Sequence, residues 1–306
     1  MMATARMTPE HWRATGASFT WRGHRVFFRV SGSGPPLLLL HGFPTSSWDW
    51  RHVWDALASS YRVIALDYVG FGFSDKPADG PYSIFAYADQ ADALLARMDV
   101  ERVHVLAHDL GDSVAQELLA RDLERRTRLD SVCLLNGGVF PELHRPRPMQ
   151  KALDSPLGSL VAKLINRTRF GKSFAEVFGP NTQPSQAELD GFWECMSFGG
   201  GVANYHLLIR YMRERARHRD RWVLPLCDPE TRVPIAMING HQDPVSGLHV
   251  VERLRALAPH TTIFDLAEIG HYPQTEAPKE VLRAYQRFRQ SLANGAAMMT
   301  TTATVE

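Results

Sequence analysis

The sequence predicts an α/β protein: a mostly parallel, eight-stranded sheet covered by helices, with a helical cap inserted late in the chain. Three observations carry that reading. Short apolar runs alternate with longer amphipathic ones over most of the 306 residues, the rhythm of a layered sheet. The stretch VHVLAHDLGDS at 103–113 reads as a strand that turns sharply into a helix. Residues from about 138 to 226 lose the strand rhythm and read as helices alone.

In chain order, residues 19–21 and 26–30 read as an opening hairpin around Arg22, Gly23 and His24. Residues 37–40, 63–66, 103–106 and 132–135 are the next strands, and their apolar character suits central parallel strands buried on both faces. Between them, 46–59, 84–98 and 113–126 have helix-like periodicity and plausible start signals. The closing units are a strand at 235–238 leading to a helix at 248–257, then a strand at 263–266 leading to a helix at 278–292. The expected organisation is a first core part at 1–137, a cap at 138–226, a second core part at 227–293 and a flexible tail at 294–306. The cap contains Pro141, Pro146, Pro148, Pro156, Pro180 and Pro184, then two long helical candidates at 187–198 and 203–217. Its large apolar side chains, among them Phe170, Phe174, Phe178, Phe192 and Trp193, mostly fasten the cap to the core. A minority are expected to line an apolar pocket between the two.

Composition narrows the function classes. Hydrophobic residues make up 44% of the chain and charged residues 22%, as in soluble globular proteins. Thirty-four basic side chains balance 33 acidic ones, so no global field draws nucleic acid or an acidic membrane. The densest basic run, 210–221, reads as a solvated helix surface. The three cysteines, Cys133, Cys195 and Cys227, are too few and scattered for a disulfide framework or a metal knuckle. No signal-peptide pattern opens the chain and no run has the length and apolarity of a membrane span. A cytoplasmic protein is therefore expected, with neither cofactor nor metal.

The chemistry is concentrated at strand ends. Asp109 occupies the turn after the 103–106 strand, flanked two residues away by the small Ala107 and Gly111. This is the nucleophile-elbow pattern G-x-S-x-G with Asp for Ser and Ala for the first Gly. A carboxylate there can attack an sp3 carbon and become an ester that water later cleaves; the alternative is a plain helix cap. His271, after the last strand, can activate that water, and Asp243, after the 235–238 strand, can orient the imidazole. The loop His41-Gly42-Phe43-Pro44 follows the 37–40 strand. The backbone N–H groups of Phe43 and Leu110 are the expected oxyanion donors, and their side chains make the nucleophile's surroundings apolar. His108 is expected to pack behind the elbow and Asp112 to use the helix-start field. Gly70 and Gly72 lack the rest of a dinucleotide fingerprint. Ser173 in Gly171-Lys172-Ser173-Phe174-Ala175 has no preceding strand and is not expected to act as a nucleophile.

On these residues the chain resembles the α/β-hydrolase superfamily, and within it the epoxide hydrolase and haloalkane dehalogenase branch with its aspartate nucleophile. The resemblance covers almost the whole chain. His41–Pro44, 67–77, 107–111, 240–244 and 270–274 occupy the branch's usual places, and Asp109, Asp243, His271 follow its nucleophile–acid–histidine order. The runs His108-Asp109-Leu110-Gly111-Asp112, Asn136-Gly137-Gly138-Val139-Phe140-Pro141, Val177-Phe178-Gly179-Pro180 and Arg221-Trp222-Val223 are similar to hydrolases of the mesoderm-specific transcript type. The resemblance implies an α/β-hydrolase fold with a cap, and a small apolar organic substrate with water as co-reactant.

The branch's activities ask for different partners around Asp109. Halide release needs side-chain donors that Leu110 and Phe43 lack, leaving Trp193 as a single indole from the cap. Epoxide opening needs an acid on the ring oxygen, usually two cap tyrosines. Tyr205 is the leading donor, with His206 and Tyr211 as substitutes. Tyr205 and Tyr211 are six residues apart, so an unbroken helix would turn them to different faces. In Asn204-Tyr205-His206 the branch's usual tyrosine position reads His206. The first expectation is an epoxide hydrolase making a vicinal diol. Haloalkane dehalogenation, or hydrolysis of an ester, lactone or C–C bond, is the alternative.

Overall fold

The computed structural model describes residues 7–125 and 128–302. The sheet contains β1 (Ala17–Trp21), β2 (His24–Ser31), β3 (Pro36–Leu40), β4 (Arg62–Leu66), β5 (Val103–His108), β6 (Leu129–Leu135), β7 (Ile235–Gly240) and β8 (Thr262–Leu266). Their spatial order is β1-β2-β4-β3-β5-β6-β7-β8. The hairpin β1–β2 and the pair β2–β4 are antiparallel, and the other pairings are parallel. Each expected strand is present. At the opening hairpin Arg22 and Gly23 both have positive φ, 48° and 83°, the conformation whose twist matches a two-residue hairpin.

The middle of the sheet is dry. Leu37 to Leu40 have no exposed surface and every residue of β5 is buried, as strands covered on both faces require. The register aligns Leu40 with Ala107 and His108 with Leu135. The loops leaving β3, β5 and β6 therefore emerge side by side at the carboxyl edge, where open α/β sheets bind ligands.

Several helices depart from the sequence pattern. The expected helix at 46–59 is a 3-10 turn, Ser47–Trp50, followed by a short helix, Trp54–Ala58. Asp67 accepts the Ser47 N–H at 2.7 Å, while Trp48, Trp50 and Trp54 are all buried. Burying three indoles from one segment takes precedence over regular helix. The helix expected from 113 begins at the turn itself, as Leu110–Leu123; position 126 lies outside the described residues. The last helix, Pro278–Thr302, continues past the tail boundary expected at 293. Ala296, Ala297, Met298 and Met299 are good helix formers that outweigh Gly295. Positions 303–306 lie outside the described residues.

Between β6 and β7 the described regular elements are helical, which gives the inserted cap. Helices Pro148–Leu153, Gly158–Leu164 and Arg167–Ala175 fill the proline-rich part that sequence periodicity left unassigned. The expected helix at 203–217 is broken. A 3-10 stretch, Phe198–Asn204, carries Gly199 and Gly200 at φ 60° and 78°; Tyr205–Leu208 and Tyr211–Arg217 then form separate helices. The next helix, Arg219–Cys227, clamps the cap to the core. Buried Glu117 of Leu110–Leu123 accepts the Trp222 indole N–H at 2.8 Å and pairs with Arg221 and Arg121 at 2.7 and 2.8 Å. Burial pushes the Glu117 carboxyl up, but these donors hold it below its ordinary value.

Candidate active site

The turn after β5 holds Asp109 at φ 52°, ψ −111°, a strained backbone for a residue with a side chain. A side chain at position 111 would place its Cβ 2.3 Å from the Leu40 carbonyl oxygen, so only glycine lets the new helix run this close to β3. Asp109 is 6% exposed. The Phe43 N–H donates to Asp109 Oδ1 at 2.8 Å, and His271 Nε2 lies 3.4 Å from Asp109 Oδ2. Each carboxylate oxygen thus has a different neighbour.

His271 is fixed from behind. Its Nδ1–H donates to Asp243 Oδ2 at 2.7 Å, and its backbone N–H donates to the Val177 carbonyl at 2.9 Å. Asp243 in turn receives the Val245 N–H on Oδ1 at 2.7 Å, and Asn136 Nδ2 and Ser246 Oγ on Oδ2 at 3.0 and 3.1 Å. Asn136 was not singled out from the sequence as a site residue. It follows β6 at φ 44° and bridges two strand ends, accepting the Gly240 N–H at 2.7 Å and donating to the Gly240 carbonyl at 3.0 Å. The run Asn-Gly-Gly was its only signal, because asparagine tolerates the left-handed region better than other side chains.

Electrostatics favour an ion pair at rest. Burial opposes charge on all three groups, yet the Asp243 and Asp109 carboxylates raise the His271 imidazole well above its ordinary value. His271 in return holds Asp109 and Asp243 below theirs. His108 packs behind the elbow as expected, with Nε2 2.7 Å from the His271 carbonyl. Burial and the nearby His271 lower its pKa to about 3, so it stays neutral. Asp112 differs from expectation. It is fully buried and accepts the Leu135 N–H at 3.3 Å, and burial raises its pKa well above the carboxylate range. Desolvation outweighs the helix-start field.

Of the expected oxyanion donors, Phe43 reaches Asp109. Leu110 opens its helix, where an N–H has no acceptor within the helix; among the described residues it makes no hydrogen bond to Asp109. An apolar cavity of about 100 Å³ lies beside the site, lined by Phe43, Pro44, Phe170, Phe174, Tyr205, His271 and Tyr272 among others. Ser173 also lines it, from within the helix Arg167–Ala175 and without a preceding strand.

The cap residues are sorted by the break in their helix. Both Tyr205 and Tyr211 rings reach Phe43, with centroids 5.5 and 6.0 Å away, because the chain re-aims between Leu208 and Tyr211. Their hydroxyls differ. Tyr205 donates to the Pro44 carbonyl at 2.9 Å, whereas the buried Tyr211 hydroxyl has no protein partner. Of the two hydroxyls, Tyr211's is the one without a partner among the described residues. His206 Nδ1 sits 3.0 Å from the Ala203 carbonyl on a partly exposed face and is not among the cavity's lining residues. Trp193 packs on Phe170 at 5.8 Å and is not among the cavity's lining residues. Arg215, which the sequence pattern assigned to a solvated surface, is 3% exposed. Its spacing of four from Tyr211, which shares a face on a helix, was the available signal.

Comparison with known proteins agrees with this architecture. Residues 35–278 match the family model described as the alpha/beta hydrolase fold. The mesoderm-specific transcript homolog protein of Bos taurus is 42% identical over 294 residues, covering 92% of this chain and 87% of that protein. A haloalkane dehalogenase loop variant from Bradyrhizobium elkanii superposes with a TM-score of 0.77 at 20% identity, covering 93% of this chain and 99% of its own. The epoxide hydrolase CorEH gives 0.74 at 23% identity, covering 91% and 99%; at these identities the two structures establish the fold alone. Among the described residues no helix is long and apolar enough to cross a membrane. The chain belongs to the α/β-hydrolase fold family, as a relative of the mesoderm-specific transcript proteins, and is a hydrolase of that fold.

Proposed function

We propose that the protein opens a small, largely apolar epoxide to a vicinal diol through an ester on Asp109. One observation carries this reading: the Asp109 carboxylate is held on Oδ1 by the Phe43 N–H while Oδ2 faces His271. A carboxylate so placed is ionised, desolvated and aimed, as a nucleophile for an sp3 carbon requires.

Asp109 Oδ2 attacks a ring carbon, the C–O bond breaks, and the ring oxygen takes the Tyr211 hydroxyl proton. Tyr211 recovers a proton from the His271 imidazolium, directly or through water. Ester formation removes the Asp109 charge, one of the two that hold the imidazolium, so His271 becomes neutral when a base is needed. It then takes a proton from water, whose oxygen adds to the Asp109 ester carbon. The Phe43 N–H stabilises the resulting oxyanion, with Leu110 N–H as a second donor. Collapse expels the diol oxygen, which is protonated by His271. The Asp109 carboxylic acid returns a proton to His271, and the resting ion pair is restored.

Dehalogenation is less well supported, because Phe43 and Leu110 offer no side-chain donor for a departing halide. The test is a parallel panel of epoxides, haloalkanes and simple esters, scored for diol, halide and acid. Diol formation should dominate. Halide release well above diol formation, or ester cleavage alone, overturns the assignment.

A further inference from the structure

Three polar side chains near the sheet-edge site have no partners among the described residues. The Arg215 guanidinium is buried, and among the described residues it makes no ion pair or hydrogen bond. The Tyr211 hydroxyl, one helical turn earlier, is buried and unpartnered. Both ring nitrogens of His144, which follows the turn Pro141–Leu143, are covered and unpartnered. Arg215 and His144 converge on one point. A Cβ built on Gly138 would lie 2.9 and 3.0 Å from the two terminal Arg215 nitrogens and 3.2 Å from His144 Nδ1.

A buried cation with no counter-ion is costly, and among the described residues no carboxyl group bonds to Arg215. Asp109 holds the Phe43 N–H and faces His271. Asp112 accepts the Leu135 N–H on Oδ1, its Oδ2 has no partner among the described residues, and burial raises its pKa well above the carboxylate range; Glu142 is paired with Arg219 at 2.6 and 3.0 Å. Gly138, which Arg215 and His144 both approach, lies two residues after Asn136, whose side chain bonds Asp243, and the Tyr211 ring packs on Phe43, whose N–H holds Asp109. Phe43, against which the Tyr211 ring packs, also lines the apolar cavity.

Resting on the function proposed above, we infer that Arg215, Tyr211 and His144 form a subsite for a carboxylate carried by the substrate, making the natural substrate an epoxy acid with an apolar body. A guanidinium presents paired donors that match a carboxylate. Tyr211 and Arg215, one turn apart, span about the 5–6 Å of i,i+4 neighbours, which suits an epoxide oxygen near one and a neighbouring carboxylate on the other. The apolar remainder of the substrate extends along the Phe43, Phe170 and Phe174 wall.

The test is calorimetric titration of the full chain with butyrate and with its neutral counterpart butyramide, neither of which turns over. Butyrate should bind the natural protein about tenfold more tightly, and Arg215→Met, checked for folding by thermal melt, should abolish the preference. Equal binding of the two probes, or a preference that survives Arg215→Met, overturns the subsite. Should Arg215→Met not fold, Arg215→Lys, which keeps the charge and loses the paired donors, must weaken butyrate several-fold and leave butyramide unchanged; any other result overturns it. No reaction is read, so a carboxylate preference without epoxide turnover would count against the proposed function only, and the reverse against the subsite only.

Discussion

The sheet edge and the cap contribute to one site in opposite states of completion. At the edge, Asp109, His271, Asp243 and Asn136 bond to one another and to the backbone of neighbouring strand ends. In the cap, Tyr211, Arg215 and His144 carry polar atoms that have no partner among the described residues. Fully bonded networks are rigid and position reacting atoms, whereas buried groups left unpaired are costly until a ligand completes them. Under the function and subsite proposed above, the edge makes and breaks bonds and the cap recognises the substrate.

Removing the base separates the two chemical steps. His271→Gln should leave alkylation of Asp109 largely intact and slow ester hydrolysis ~10³-fold, so intact-protein mass spectrometry should find the adduct accumulating. A variant that turns over without adduct would detach His271 from the hydrolytic step. In the cap, Tyr211→Phe should slow alkylation ~10²-fold, read by single-turnover kinetics. Tyr205→Phe should leave that rate near normal and lose about 1 kcal/mol of stability, one neutral hydrogen bond to Pro44. Equal loss of alkylation in the two variants would erase the distinction drawn between their hydroxyls.

Positions whose role depends on their own element were legible from sequence. The strands, the elbow at Asp109 and the strand-end positions of Asp243 and His271 follow from apolar runs ended by small or turn-forming residues. The cap was less legible because its geometry depends on interruptions. Two glycines at positive φ and the break after Leu208 bring both tyrosines onto Phe43, a result that an unbroken helical period forbids. Arg215 sits in a run of arginines whose other members are exposed or ion-paired, so composition disguised it. Asn136 acts across two strands, and single-strand periodicity carries no sign of such a bridge.

Smaller effects test the completeness of the edge network. Asn136→Ala unties Asp243 from Gly240 and should cost roughly 2–3 kcal/mol in denaturant unfolding, with ester hydrolysis impaired more than alkylation. Asp49, behind the edge, receives the Thr45 hydroxyl at 2.5 Å, and burial raises its carboxyl from 3.8 to about 8. The folded state therefore favours the protonated acid. That contribution is fully present below the ordinary value and is lost as pH rises through about 8. Asp49→Asn should accordingly lose less stability than the natural protein between about pH 5 and about pH 8, by on the order of 1 kcal/mol in thermal melts. Identical pH profiles would remove Asp49 as the titrating group.

The central claim is that the Asp109 carboxylate bonds to substrate carbon and that water later attacks the carboxyl carbon. A single turnover in water labelled with heavy oxygen, with enzyme in excess over epoxide, tests it directly. The account predicts that the peptide bearing Asp109 gains one labelled oxygen and that the first diol released carries none. Label in the diol with Asp109 unlabelled would mean that water attacks the substrate directly, and would contradict it.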